Sequence, residues 1–154
     1  MEVDYQLYAD GEALLGWLNC TVQTSRPSDL DSGKLLQRLA VEIQDRLRSH
    51  QAEVAHLKIT LKPEGVGSGE IAVVSLVRND FVPEQSLKLN RPADRGQLII
   101  NLRAEAAPEF LERAVRDALA ATAASFPGLA ATLDHLEQFR PGKPSPTHRF
   151  TTAT

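Results

Sequence analysis

The stretch VAHLKITLK, residues 54–62, alternates apolar and polar side chains with a period of two. Successive side chains of a β-strand point to opposite faces of a sheet, so this pattern specifies a strand with one apolar and one polar face. The two sets are Ala55, Leu57, Ile59 and Leu61 on one face and His56, Lys58, Thr60 and Lys62 on the other. The rest of the chain must therefore supply an apolar cover for the first face.

A second run of this kind, QLIINLRA at residues 97–104, predicts another strand. Its apolar set is Leu98, Ile100, Leu102 and Ala104, and its opposite set is Ile99, Asn101 and Arg103. Less regular apolar runs predict three more strands, at residues 14–24, 71–80 and 86–90.

Two long amphipathic segments can cover the apolar face. Residues 25–51 carry apolar side chains at helical spacing, and Ser28 with Asp31 fits a capping box at the start of a helix. Residues 107–126 predict a second helix, with Pro108 in the first turn, where its missing N–H is tolerated. The segment LAATLDHLEQF, residues 129–139, is interpreted as a short third helix.

This order of elements predicts an α+β two-layer sandwich, in which a mainly antiparallel sheet of about four to five strands carries two long helices on one face. Residues 1–140 are expected to form a single domain. Residues 141–154 contain three prolines and no hydrophobic period, so we expect an extended or disordered tail there.

Composition excludes several classes of function. No apolar run approaches the ~20 residues that span a membrane, and the acidic N-terminus lacks the features of a secretory signal, so we expect a soluble, cytoplasmic protein. The net charge of −3 argues against a nucleic-acid-binding protein. The two clearest strands lack the aromatic residues on which RNA-binding sheets stack bases, and Trp17 is interpreted as a core residue.

The glycine-rich stretch KPEGVGSGEIAVV, residues 62–74, could cradle a phosphate or turn the chain. A P-loop needs GK[ST] and a following helix, and neither is found after Gly69. Gly65, Gly67 and Gly69 lie between two strand patterns, so a hairpin connection is predicted.

Metal ligation and covalent catalysis find little support. The candidate ligands are Cys20, His50, His56, His135 and His148, and no pair has the spacing of a known metal motif. Cys20 shares the apolar parity of its strand, which predicts an inert buried thiol. We therefore expect no metal, no cofactor and no catalytic residue.

The remaining candidate is a polar surface. If strands 54–62 and 97–104 are neighbours, the side chains of His56, Lys58, Lys62, Asn101 and Arg103 form one mildly basic patch opposite the helices. This patch could dock an acidic protein partner or a small anion, or it could simply be the solvated side of the sheet. A small enzyme that uses these polar residues is the alternative function, and a homodimer is compatible with the sequence.

Three strings, YADGEALLGWLN (8–19), HLKITL (56–61) and NLRAEAAPE (101–109), resemble the domain that follows the P-loop GTPase module in CobW-like metal-chaperone or cofactor-assembly proteins. The resemblance covers about residues 5–140. The Walker A motif and the cysteine metal motif of that family are absent, so no functional residue carries over. The resemblance implies an accessory C-terminal domain, excised or free-standing, that docks a partner or client while a separate module hydrolyses GTP.

Overall fold

The computed structural model of the chain describes residues 15–26, 31–65, 69–90 and 94–141. Its strands are β1 (Gly16–Ser25), β2 (Val54–Pro63), β3 (Ala72–Leu76), β4 (Glu84–Leu87), β5 (Arg95–Ala104) and β6 (Ala130–Phe139), and its helices are α1 (Ser32–Ser49) and α2 (Pro108–Ser125). All strands pair antiparallel in the order β4-β3-β2-β5-β1-β6. The predicted α+β sandwich is confirmed, with six strands where about four to five were expected.

The core lies between one face of this sheet and the two helices. The strand registers align apolar side chains in rows across the sheet, and one row joins Cys20, Ile100, Ile59 and Val74. The helices contribute fully buried leucine, isoleucine and valine side chains to the same cluster, namely Leu36, Leu39, Ile43, Leu111 and Val115. The period-two pattern of the sequence identified the buried face correctly for β5 and for β2 from Leu57 onward. The assignment of Ala55 to this face is wrong, because a β-bulge between Val54 and His56 leaves Ala55 exposed and buries Val54 instead.

Helix α1 begins later than the predicted residue 25. Asp31 is its N-cap, and the Asp31 carboxylate accepts a hydrogen bond of 2.8 Å from the backbone N–H of Gly33. Ser28, the other member of the predicted capping box, lies outside the described residues. Near the middle of the helix, the buried Gln44 amide donates to the carbonyl oxygens of Asn79 and Phe81 and so fixes the connection between β3 and β4.

The glycine-rich stretch is a hairpin connection, as predicted. It joins β2 to β3, which pair antiparallel with Leu61 opposite Ala72. Gly65 and Gly69 have φ values of 75° and 72°, in the left-handed region that glycine adopts most easily. Gly67 lies outside the described residues. The stretch leads into strand β3 and not into a helix.

The prediction of a third helix at 129–139 is wrong, because this segment is strand β6, paired with β1 along its length. A β-bulge explains the error. Thr21 lies opposite His135 and the next residue, Val22, lies opposite Leu133, so Asp134 is an extra residue in the strand. The bulge sets the inward-facing Leu133 and Leu136 three residues apart, which is also the spacing of a helix face.

The predicted tail falls mainly outside what the structure describes. The tail predicted for residues 141–154 lies outside the described residues except for Pro141, and so does the chain before residue 15. Within the described ranges, neither helix has the length and apolar content needed to cross a bilayer.

Candidate functional site on the open sheet face

The face of the sheet that points away from the helices carries all five residues of the predicted patch. Strands β2 and β5 are neighbours, with His56 opposite Arg103, Lys58 opposite Asn101 and Lys62 opposite Gln97. The structure therefore brings together the side chains that the sequence only placed on separate strands. We call this set of five residues (His56, Lys58, Lys62, Asn101 and Arg103) the basic patch.

The patch combines exposed and half-buried side chains. Lys58 and Lys62 are exposed, while His56, Asn101 and Arg103 are half-buried. Between the two lysines, Thr60 is only 9% exposed, and Val73 beside it on β3 is 3% exposed. The two lysines thus flank a tightly packed centre, and their ammonium groups reach the solvent.

No cation of the patch has a carboxylate partner among the residues that the structure describes. Within the described residues, the ion pairs join Arg38 and Arg46 to Glu42, Arg78 to Asp80, and Arg116 to Glu112. None of these pairs lies on the central strands. Lys58, Lys62 and Arg103 therefore form a cationic stripe on a chain whose net charge is −3.

At one end of the patch is an aromatic corner that the sequence interpretation missed. The guanidinium of Arg103 lies 4.8 Å from the ring centroid of Trp17. On the other side of Trp17, the ring centroids of Trp17 and Phe139 are 5.6 Å apart. Trp17 is half-buried on the open face, so its assignment to the core is wrong. The sequence does indicate the open face for Trp17, because Trp17 has the opposite parity to Leu18 and Cys20, which are buried on the helix side of β1. Its indole N–H has no acceptor among the described residues.

A chain of amide hydrogen bonds crosses the face from the patch to β6. The Asn101 amide donates to Asn19 Oδ1 at 2.8 Å, and the Asn19 amide donates to the Glu137 carboxylate at 3.3 Å. Ile99, two residues from Asn101 on β5, is an apolar residue on the same open face. Further along the sheet, the Gln23 amide donates to Asp134 at 3.3 Å. The carboxylates of β6 therefore border the open face, three strands away from the lysines of β2.

His56 is electrostatically coupled to the patch. Burial lowers the pKa of His56 below its ordinary value, and the positive charges of Arg103 and Lys58 lower it further. The imidazole is consequently neutral at pH 7. At that pH the positive charge of the patch comes from Lys58, Lys62 and Arg103.

The other candidate residues from the sequence are Cys20 and the possible metal ligands. Cys20 is 2% exposed, and burial raises the pKa of its thiol to about 12, so the thiol stays protonated and packs in the core. The described residues contain no cluster of three or more histidine, cysteine, aspartate or glutamate side chains that could hold a metal ion. His148 lies outside them.

Two concave sites occur elsewhere on the molecule. A cavity of about 390 Å³ lies between the start of α1 and strand β4, lined in part by Lys34, Gln85 and Lys88. A smaller one of about 190 Å³ lies beside β3 and β4, lined in part by Val77 and Phe81. Neither of these two cavities is lined by a residue of the basic patch.

Comparison of the chain with protein-family models, with curated proteins and with solved structures finds no significant match.

Proposed function

We propose that the chain is a non-catalytic accessory domain whose basic patch docks an acidic surface of a protein partner or client. The observation that carries this proposal is the cationic stripe of Lys58, Lys62 and Arg103, which has no carboxylate partner among the described residues. Unpaired charges of one sign attract a complementary surface and speed its association.

The length of the stripe favours a polypeptide over a small anion. Lys58 and Lys62 are four residues apart on one strand, which corresponds to about 13 Å, and Arg103 extends the stripe beyond Lys58. A phosphate or a free carboxylate could contact one end only. A protein surface with several carboxylates can contact all three cations together.

The aromatic corner fits the same role. Tryptophan and arginine are over-represented among the residues that contribute most to protein interfaces. Trp17, held between Arg103 and Phe139, supplies a rigid apolar edge beside the charges. The resemblance to the accessory domain of CobW-like GTPase proteins supports a docking role, with any GTP hydrolysis assigned to a separate module.

The alternative is a small enzyme that uses the polar residues of the same face. The observation in its favour is the lowered pKa of His56, because perturbed histidines often take part in proton transfer. Burial and two neighbouring cations explain that shift without a substrate. Catalytic sites are usually concave, and neither of the two cavities described above is lined by a residue of the patch, so docking fits the patch better than catalysis does.

The test compares two double charge reversals. Lys58→Glu with Arg103→Glu should reduce the affinity for a fluorescein-labelled oligoglutamate peptide at least tenfold, measured by fluorescence anisotropy. It should also abolish capture of acidic proteins from a cell extract. The matched control, Lys34→Glu with Arg113→Glu, makes the same change in net charge at exposed helix positions and should bind like the wild type.

Stability must be followed in both variants, because the interpretation requires folded protein. Lys58, Lys34 and Arg113 are exposed, and such charges contribute about 0–1 kcal/mol each. Arg103 is half-buried over Trp17, so its reversal also removes a cation–π contact worth about 0.5–1 kcal/mol, and we expect a small loss of stability in the patch variant alone. Equal loss of binding in both variants would reduce the effect to net charge. Unchanged binding in the patch variant would contradict the proposal.

A further inference from the structure

We infer that a second copy of this chain fits the open sheet face, so that two copies form a symmetric dimer through strands β1, β2, β5 and β6. This inference rests on the proposed function, because it names a partner for the same surface. The acidic surface that the basic patch requires is present on the chain itself, on strand β6.

The strand registers place opposite charges at matching height in one row and close to it in a second. The first row across the sheet runs from Lys58 through Asn101 and Asn19 to Glu137. The second row runs from Lys62 through Gln97 and Gln23 to Thr132. Asp134, whose carboxylate accepts from the Gln23 amide, lies two residues further along β6 at the bulge.

A two-fold axis parallel to the strands, between β5 and β1, converts these rows into contacts. It places β2 of one copy opposite β6 of the other and β5 opposite β1, and it keeps each row at its own height. Lys58 then faces Glu137 of the second copy, and Lys62 faces Thr132 of the second copy, with Asp134 two residues further along that strand. Because the contact is symmetric, each pair occurs twice.

The aromatic corner is complementary in the same arrangement. Its row contains His56, Arg103, Trp17 and Phe139 in that order across the sheet. The axis therefore places Arg103 against Trp17 of the second copy and the neutral His56 against Phe139 of the second copy. No pair of like charges meets in any of the three rows.

The available area is sufficient for a reversible dimer. The four strands have ten residues each. At about 3.3 Å per residue and about 4.8 Å between strands, they cover about 600 Å² per copy and about 1,200 Å² in total, the lower end of the range for specific interfaces. Two sheets that pack face to face keep their strands within about 30° of each other, as the axis requires.

The dimer and an acidic partner use the same cations, so they should compete. Oligoglutamate peptide added to the wild-type protein should shift it towards monomer. The dimer would then be the state that protects the basic patch when no client is bound.

The experiment is sedimentation velocity over a concentration series. Wild-type protein should dimerise, and raising the salt from about 0.05 M to about 0.5 M should weaken the dimer, because salt screens exposed charges. Lys58→Glu or Glu137→Lys alone should raise the dimer dissociation constant about tenfold, since each reverses two symmetric pairs. The combined variant restores both pairs and should return to within about threefold of the wild type.

A charge exchange on α2, Glu112→Arg with Arg116→Glu, is the control and should leave the dimer unchanged. Recovery in the combined variant also shows that the single variants lost affinity and not their fold. Wild-type protein that stays monomeric at every concentration would overturn the inference, as would a dimer indifferent to the single reversals. If such a monomer still needs Lys58 and Arg103 to bind oligoglutamate, the proposed function stands alone.

Discussion

The two faces of strand β2 differ in burial and in charge. Leu57 and Ile59 are fully buried against the helices, while Lys58 between them is exposed on the open face. The same backbone therefore presents apolar packing on one side and the charge of Lys58 on the other. Packing and charge are separated by the period of two, so each can be altered without the other.

The charges of the helical layer differ from those of the open sheet face, because they are paired with each other. On α1, Glu42 binds both Arg38 and Arg46, at 2.8 Å and 2.6 Å. Each arginine lies four residues from Glu42 along the same helix, so the helical spacing alone brings these opposite charges together. Within the described residues, no ion pair joins Lys58, Lys62 or Arg103 of the open face to a carboxylate, so these charges are not balanced by a neighbour on the same strand.

Truncation of the buried face should have the largest effect. Ile59→Ala removes fully buried methyl groups and leaves a cavity, so we expect a loss of about 2–5 kcal/mol in the free energy of unfolding, measured by urea denaturation. The neighbouring Lys58→Ala should change it by less than about 0.5 kcal/mol. Similar losses for both variants would break the comparison between the faces.

Removal of the helical charge network should have an intermediate effect. Hydrogen bonds from Arg46 and Arg38 lower the pKa of Glu42, so its carboxylate stabilises the fold above its ordinary pKa and this contribution is lost as the pH falls through the lowered value. Glu42→Gln should cost about 0.5–1 kcal/mol at pH 7. The deficit should disappear on acidification. A deficit that persists at low pH would assign the role of Glu42 to packing.

Titration of His56 should give the smallest effect. Its pKa in the folded protein is below the ordinary value of 6.5, so the unfolded chain takes up a proton first as the pH falls below 6.5. The wild type should therefore lose stability over this window, and His56→Gln should lose less. Chemical denaturation at pH 7.5 and in steps below 6.5 measures the difference.

The same coupling can be measured directly by NMR. Lys58→Ala removes one of the positive charges that lower the pKa of His56, so the imidazole should titrate at higher pH in this variant. An unchanged titration would mean that burial and Arg103 hold the pKa down without Lys58, and that His56 does not report on the charge of Lys58.

The sequence determined the elements in which local pattern and final environment agree. The alternation at 57–62 and 97–104 identified two strands and their buried faces, because a strand that packs on one side needs one apolar parity. It failed at Ala55, where a β-bulge shifts the parity of β2. The apolar stripes of α1 and α2 gave the helical layer. Asp31 also indicated the start of α1, since a capping carboxylate acts within a few residues of its own position.

Tertiary structure alone decided which strands are neighbours, and with them the basic patch. His56 and Arg103 are 47 positions apart in the chain and meet only because β2 pairs with β5. Strand β6 was misread because its bulge imitates helical spacing, and its pairing with β1 overrides that local signal. Pairing depends on residues far apart in the chain, and no local period encodes it, so the sequence defined the faces of each strand while the fold assembled those faces into one surface.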